Sequence, residues 1–366
     1  MTQAPLQSTP LALIGAGHTH LVGLRRWRDR GFRPPAGSVL INPDPEAWYS
    51  GMMPGLLAGR YQPEDCAIAL EPLCANLGIE LVIGQLAELN ADQRLLRLDD
   101  GRQYQAELLS LNIGSSPACL LQDGSLPVIP VKPFATLYRQ WRLWRDGHAP
   151  VNLALAGAGP AAFELALALQ ASLPNSRISL IGSTPLLARH PSTLQRRALR
   201  LLHERGIDYQ LDQLTGIRQG RLLLASGIEL EGFDALVLAT GAQPHACQQT
   251  SGLRCDPLGF IAVDSCLRSL SHSAILASGD CAKVPDSHHC GVHAVRQGQT
   301  LADNLQALLC QQPLQRYQPQ SRTLALLDTS DGRALLSYGP LAAAGRWARW
   351  WKTWLDTRFI SHHRIQ

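Results

Sequence analysis

The chain is short of charge, aromatics and sulfur pairs. Charged residues make up 17% and aromatics 6% of its 366 residues, against 45% hydrophobic. That balance excludes a disordered or polyelectrolyte chain, and the length allows roughly two to three domains, each with its own core. No apolar run reaches the ~18–20 residues that cross a bilayer. The N-terminus lacks a basic region before its first apolar run, so no signal peptide is read and a cytoplasmic location is expected, with peripheral attachment to the inner face of the membrane left open. Nine cysteines are present, none spaced C-x-x-C. A zinc ribbon or thioredoxin-like pair is thereby excluded, no metal site is expected, and reduced thiols are. The net charge of +4 is too weak to argue for nucleic acid. It is concentrated after residue 345, where Arg346, Arg349, Lys352, Arg358 and Arg364 face one acid, Asp356.

What is present is a repeated architecture. LALIG (11–15) reads as a buried parallel strand, followed by the turn GAGHTH, a helical stretch ending at Gly31 and a second strand, SVLIN (38–42). ELVIG (80–84) and ELLSLNIG (107–114) are further strands. The pattern then restarts. VNLALAG (151–157) leads into GAGPAAFELALALQASL, RISLIG (177–182) follows, and FDALVLATG (233–241) closes the unit. The period is about 140 residues, a duplication of one α/β unit with doubly wound parallel sheets. Beyond it come a strand ending in Gly279–Asp280, a helix starting near Val292, a short strand pair with SDG as its turn, and a basic, tryptophan-rich tail.

Both turns have the chemistry of a dinucleotide site. Gly15 permits the tight turn and Gly17 lets backbone approach a pyrophosphate, while the following helix start offers unpaired N–H groups to phosphate. His20 stands where a third glycine is usual, and Asn42 where an acid is usual, with Asp44 two residues on; either can hydrogen-bond a ribose hydroxyl. In the second turn Gly157, Gly159 and Ala162 fit G-x-G-x-x-A, with Glu164 just inside the helix. The next strand ends at Gly182 and Ser183 without an acid, which leaves NADH and NADPH both open. Two such turns point to one resident and one visiting nucleotide, and a flavin is the natural resident. Gly279–Asp280 at a strand end fits the ribityl chain of FAD, and the Val292 helix start would face the flavin. His18, Gly114, Pro160, Ala161, Thr240 and Gly241, at the turns and strand ends, are assigned to cofactor binding with them.

The series GAGHTH, NIGSSP, GAGPAAFELA, VLATGAQP and ASGDCA resembles the pyridine nucleotide-disulfide oxidoreductase superfamily over about 300 residues. Within it the chain looks like the type II NADH dehydrogenases, and most like the flavoproteins fused to, or encoded near, selenide, water dikinase. PEAWYSGMMPGLLAGRY (45–61), AVRQG (294–298) and WKTWLDTRFI (351–360) carry that finer resemblance. It implies FAD at the first turn and NAD(P)H at the second. It also implies that Tyr49, Ser50, Gly51 and Met52 lie by the flavin ring, Glu164 by the nicotinamide as the catalytic candidate, and Arg296 and Gln297 at the quinone-side end. The redox cysteine pairs of the disulfide reductases are missing, and Cys281 is read as a packed residue.

The expected fold is therefore two Rossmann-like doubly wound domains plus a small C-terminal segment with a strand pair and an amphipathic helix. Residues 1–118 and 251–320 form a split FAD-binding domain, 119–250 the inserted NAD(P)H-binding domain and 321–366 the C-terminal segment. Trp347, Trp350, Trp351, Trp354 and Leu355 recur at i, i+3, i+4, i+7 and i+8, with Arg346, Arg349, Lys352 and Thr353 opposite. Such a helix fits a membrane interface, with cations on anionic lipid; packing on its own domain or on a dimer partner fits equally. The expected activity is hydride transfer from NAD(P)H to flavin and on to an acceptor, a quinone first. Two alternatives stand beside it: an oxidoreductase of selenium or sulfur metabolism, linked to selenide, water dikinase, and a redox-sensing nucleotide-binding protein.

Overall fold

The computed structural model describes residues 5–117 and 120–365. Its first sheet places the strands Glu80–Ile83, Val39–Asn42, Leu6–Ile14 and Gln103–Leu111 side by side and parallel. The strand Ile275–Ala277, more than 150 residues further on, completes it by pairing with the C-terminal half of Gln103–Leu111. The N-terminal half of that long strand instead pairs with the antiparallel hairpin Leu86–Asn90 and Leu95–Leu98. A second, five-stranded sheet is parallel throughout, in the order Asp208–Leu211, Arg177–Gly182, Asn152–Ala156, Ala235–Leu238, Val128–Pro130. Continuous apolar runs such as LALI and LALA make these strands, because helices cover both faces of a parallel sheet and no polar alternation is needed.

In each sheet the chain leaves the central strand, Leu6–Ile14 or Asn152–Ala156, through a glycine turn into a helix, and strand order reverses beside that turn, the place where ligands bind in such sheets. The two helices are His18–Asp29 and Pro160–Ser172. The second is apolar almost all round, with Ala162, Phe163 and Leu165 to Leu169 buried, so it is sandwiched rather than surface-lying. It packs between its own sheet and the short helix Met53–Leu57.

The helix Gly291–Leu309 lies across His18–Asp29. Their contact is tight at Gly298, where a Cβ would fall 2.5 Å from Val22 Cβ and 2.8 Å from Thr19 O. Arg26 then grips Asp303 through two bonds of 2.7 Å, and the Trp27 indole donates to Ala302 O at 3.1 Å. The C-terminal region departs from the expected strand pair. Leu341–Gly345 adds a third strand to Leu324–Asp328 and Ala334–Tyr338. LAAAG has small side chains of weak strand preference and no alternation, so the pattern does not announce it. The last helix runs Arg346–His363, and no helix among the described residues is long and apolar enough to cross a membrane.

The crossing of the two helices predicts a contrast. Gly298→Ala should cost about 1–3 kcal/mol, because Val22 Cβ and backbone at Thr19 cannot both withdraw. Gly23→Ala, whose Cβ would sit at an ordinary 3.6 Å from Ala302 Cβ, should be neutral or gain about 0.5–1 kcal/mol of helix propensity. Urea unfolding of the two variants checks both, and equal costs would contradict the packing described.

Candidate dinucleotide and redox site

At the first turn Gly15 has φ +83° and donates to Ile41 O at 2.8 Å. A side chain there would strike Asn112 O at 2.5 Å. Asn112 is the hub of this end of the sheet. Its Oδ1 accepts the His20 N–H at 3.2 Å and its Nδ2 donates to Ser278 O at 2.9 Å. A Cβ on Gly17 would meet Asn112 Oδ1 at 2.3 Å, and one on Gly279 would meet Nδ2 at 2.6 Å. Gly17 is thus required by the Asn112 side chain beside it, a reason different from the one expected from the motif.

Two expected ligand contacts become braces. His20 is buried beneath the turn, with Nδ1 2.6 Å from Gly15 O and Nε2 2.8 Å from Ser110 Oγ. Burial lowers its pKa to about 4, the Gly15 carbonyl only partly opposing, so the ring is neutral. Gly15 O can only accept, so Nδ1 carries the proton and Nε2 accepts from the Ser110 hydroxyl. With both nitrogens committed, His20 supports the turn and does not face a nucleotide. Asn42 accepts from the Ala16 N–H at 2.9 Å and donates to Asp44 O at 2.7 Å. Its amide ties the turn to the strand end, and Asp44 is left as the half-exposed acid beside it.

The Gly279–Asp280 pair closes on the same place. Gly279, at φ +68°, donates to the buried Gln297 Oε1 at 2.7 Å, so Gln297 fixes this turn. Val292 is half-buried and Arg296 exposed on the same helix. Asp280 Oδ2 lies 2.8 Å from Lys132 Nζ, which also reaches Ser115 Oγ at 3.2 Å. Burial pushes the Asp280 carboxyl up, but the charge and hydrogen bond of Lys132 outweigh it and hold it below the usual range. The His18 ring sits 5.3 Å from Tyr49 and 5.7 Å from Phe359, with Tyr49 stacked on Phe359 at 4.5 Å. Burial lowers His18 to about 4 against the pull of Asp280, with Lys132 assisting.

The second turn repeats the first. Gly157, at φ +146°, donates to Ile181 O at 2.7 Å, and its Cβ would strike Ala239 O at 2.3 Å. Ala239 leads directly to Thr240 and Gly241. Pro160 and Ala161 are exposed at the helix start, and among the described residues nothing beyond the chain neighbours lies within 4 Å of where a Cβ would stand on Gly159, Gly241 or Gly114. Gly182 packs on Ala158, while Ser183 is exposed. The helices His18–Asp29, Pro160–Ser172 and Gly291–Leu309 all start without a side-chain cap and without an acid in the first turn. Uncapped starts above glycine turns with open space fit pyrophosphate groups.

Between the two turns lies a charged cluster that sequence reasoning missed except for Glu164 and Tyr49. Lys352 Nζ is 2.8 Å from Gly51 O and 3.1 Å from Asp356 Oδ2, and the Tyr49 hydroxyl donates to Asp356 Oδ1 at 3.2 Å. Asp328 Oδ2 takes Arg60 at 2.6 Å and Arg349 at 3.0 Å, while its own N–H donates to Glu164 Oε1 at 2.7 Å. Met52 is fully buried beside this segment and Ser50 exposed. The placement of Arg349 and Lys352 corrects the expected lipid-facing role. Lys352 is 8% exposed and points inward, because the buried Asp356 carboxylate there needs countercharge. The signal was available as an i, i+4 Lys–Asp pair. Burial raises Glu164 to about 7, with Lys352 and the Asp328 N–H opposing and Asp328 and Asp356 adding to the rise. The eight described cysteines are free; Cys119 lies outside the described residues. Cys281 is fully buried with its thiol pushed up to about 12, as a packed residue would be.

Residues 11–298 match the family model for pyridine nucleotide-disulphide oxidoreductases. The chain belongs to this family. The chain is accordingly an oxidoreductase of a family that works with FAD and NAD(P)H. Solved structures agree in fold. A sulfide:quinone oxidoreductase from Aquifex aeolicus superposes with a TM-score of 0.79 at 16% identity, covering 98% of this chain and 91% of that one. A water-forming NADH oxidase from Lactobacillus brevis bound to NADH gives 0.73 at 19% identity, covering 91% and 75%. A ferredoxin reductase from Rhodopseudomonas palustris gives 0.72 at 20% identity, covering 90% and 82%. No curated protein matches the chain by sequence.

The elevated Glu164 carboxyl sets a pH test. Its folded pKa lies above the ordinary value of 4.5, so the folded chain holds a proton there up to about pH 7, and the stability tied to that proton is lost as pH rises through this window. Glu164→Gln keeps an acceptor for the Asp328 N–H without the charge. It should gain about 2 kcal/mol on wild type between pH 5 and pH 8, allowing for partial exposure. A constant difference in denaturant unfolding at the two pH values would refute the elevated ionisation.

Proposed function

We propose that the chain oxidises NAD(P)H and delivers the electrons through FAD to a small-molecule acceptor, a quinone first. Residues 1–118 and 251–320 would hold FAD, 119–250 the nicotinamide nucleotide, and 321–366 the approach of the acceptor. The observation that carries this is the pair of uncapped glycine turns at two strand-order reversals, with Glu164 from the second unit and Tyr49 from the first meeting in one cluster. Bound FAD would supply the chemistry, taking a hydride from NAD(P)H and releasing electrons to the acceptor.

The chain's own residues position and screen. The starts of the helices at Gly17 and Gly159 would hold the two pyrophosphates, Asp44 and Asp280 the sugar and ribityl hydroxyls, and the Gly291–Leu309 helix start the flavin. Lys132, held on Asp280, would place a positive charge where a reduced flavin is anionic. Glu164 would lie by the nicotinamide and Arg296 at the acceptor side. Neutral His18, beside the stacked Tyr49 and Phe359 rings, would close the site to water from the side of the last helix. Type II NADH dehydrogenase-like activity is the finer reading, supported by the motif resemblance. The same resemblance to flavoproteins associated with selenide, water dikinase supports selenium metabolism as a second one.

The last helix supports attachment to a membrane surface. It buries Ala348, Lys352, Asp356, Ile360 and His363 and turns Trp347, Trp350 and Trp354 outward, at 53%, 70% and 43% exposure. Indoles prefer the headgroup region, and a lipid-soluble quinone is reached from there.

Stopped-flow mixing of the yellow holoprotein with NADH or NADPH should bleach the flavin, and a soluble quinone should restore it. No bleaching by either nucleotide would end the hydride-transfer reading, and bleaching by sulfide or selenide alone would favour the second one. In co-sedimentation, changing Trp347, Trp350 and Trp354 together to Ser should cut binding to phosphatidylcholine vesicles at least tenfold; unchanged binding would remove the membrane role of this face.

A further inference from the structure

A cavity of about 430 Å³ opens at the far end of the last helix, away from both glycine turns, between it and the end of the His18–Asp29 helix. Among the described residues Arg25, Arg28, Ser361, His362, Arg364 and Ile365 line it, with Asp29 as the one acidic side chain. Three guanidinium groups face one acid, and Arg358 adds to the field at Arg25.

Part of this charge is spent. Arg28 bonds Asp29 Oδ1 at 2.8 Å and His362 O at 2.9 Å, and Arg364 donates to Ala67 O at 3.0 Å and to Glu64 O. Asp29 is thereby occupied by Arg28, and it stands 3.8 Å from Arg25. Arg25 reaches the His362 ring at 3.5 Å, and its buried Nε, ion-paired with Asp29 at 3.8 Å, makes no hydrogen bond. Burial lowers the Arg25 pKa; Asp29 counters it, and Arg28 and Arg358 press the same way as burial. The cavity therefore carries more arginine than acidic side chains, with Asp29 shared between Arg25 and Arg28, and an incoming anion would complete the pairing.

Helix periodicity says what carries the anion. Trp347, Trp350, Trp354, Arg358, Ser361 and His362 follow one another at steps of three or four residues, save the last, so the tryptophan stripe runs directly into the cavity. The Arg358 guanidinium lies 5.0 Å over the Trp354 ring, joining the two. Indoles set at headgroup depth beside a cavity with an excess of arginines match a lipid that offers both, an acyl boundary and a negative phosphate. We propose that the cavity between Arg25, Arg28, Arg364 and His362 is a binding site for the headgroup phosphate of an anionic phospholipid. The proposal rests on the membrane reading of the tryptophan face and adds lipid selectivity to it.

The test uses the full-length holoprotein and two vesicle types, phosphatidylcholine alone and phosphatidylcholine with one-third phosphatidylglycerol. Wild type should partition onto the anionic vesicles more than tenfold better, with the excess shrinking at high salt. Arg25→Gln with Arg28→Gln should lose about fivefold per arginine on anionic vesicles and nothing on neutral ones, with flavin bleaching by nucleotide unchanged. Asp29→Asn, which removes the cavity's acid, should strengthen anionic binding, whereas a merely structural ion pair would make this variant weaker. Anionic preference retained in the double arginine variant overturns the site while leaving the membrane reading standing. Binding to neither vesicle, or tryptophan-mediated dimers in sedimentation equilibrium instead, overturns both.

Discussion

The geometry between the two glycine turns depends on a buried cluster of charged side chains. Two carboxylates (Asp328 and Asp356) meet three cations (Arg60, Arg349 and Lys352), and Glu164, protonated up to about pH 7, joins them through the Asp328 N–H where four separate pieces of chain converge. None of these groups could be buried alone, since an unpaired buried charge costs several kcal/mol and removing one partner of a buried pair costs about 3–5 kcal/mol. The pairing therefore fixes the Tyr49–Gly51 segment, the Glu164 helix, the Asp328 strand and the last helix to one another. It holds them more specifically than apolar contact would, because each carboxylate has a named donor.

That constraint explains the unusual last helix. It buries Lys352 and Asp356 against the protein and turns Trp347, Trp350 and Trp354 outward, an arrangement uncommon for a surface helix. Read by composition alone, Arg349 and Lys352 belong to a solvent or lipid face. Only the presence of Asp328, Asp356 and Glu164 underneath turns them inward, and two of those acids come from elements far away in sequence.

Much of the fold was legible because it follows from periodicity and punctuation. Apolar runs ending in glycine gave the parallel strands, the restart after about 140 residues gave the duplication, and the helix Gly291–Leu309 appears where GVHAVRQGQTLADNLQALL suggests it. The strand Leu341–Gly345 was hidden by its alanines. At the site, the glycines were legible and their supports were not. Asn112 sits in the NIGSSP motif, yet its role depends on meeting His20, Gly17 and Ser278 at once. His20 and Asn42 occupy positions where a nucleotide contact is usual, and pattern alone cannot show that each is already saturated by backbone. Lys132 carries no local signal, because its partner Asp280 is 148 residues away.

The shared side chain of Asn112 also has a consequence for the order in which the molecule is made. The second sheet and its turn are assembled from a continuous stretch, Val128 to Leu238. The first sheet lacks its fifth parallel strand, and Asn112 lacks Ser278, until the chain has been synthesised past residue 278. Thr19 waits longer still, for Ala294. On a ribosome the glycine turn that emerges first is thus the one completed last, and the segment translated in between can fold ahead of it. The older half of the nascent chain spends that interval with an open sheet edge and an unfilled turn.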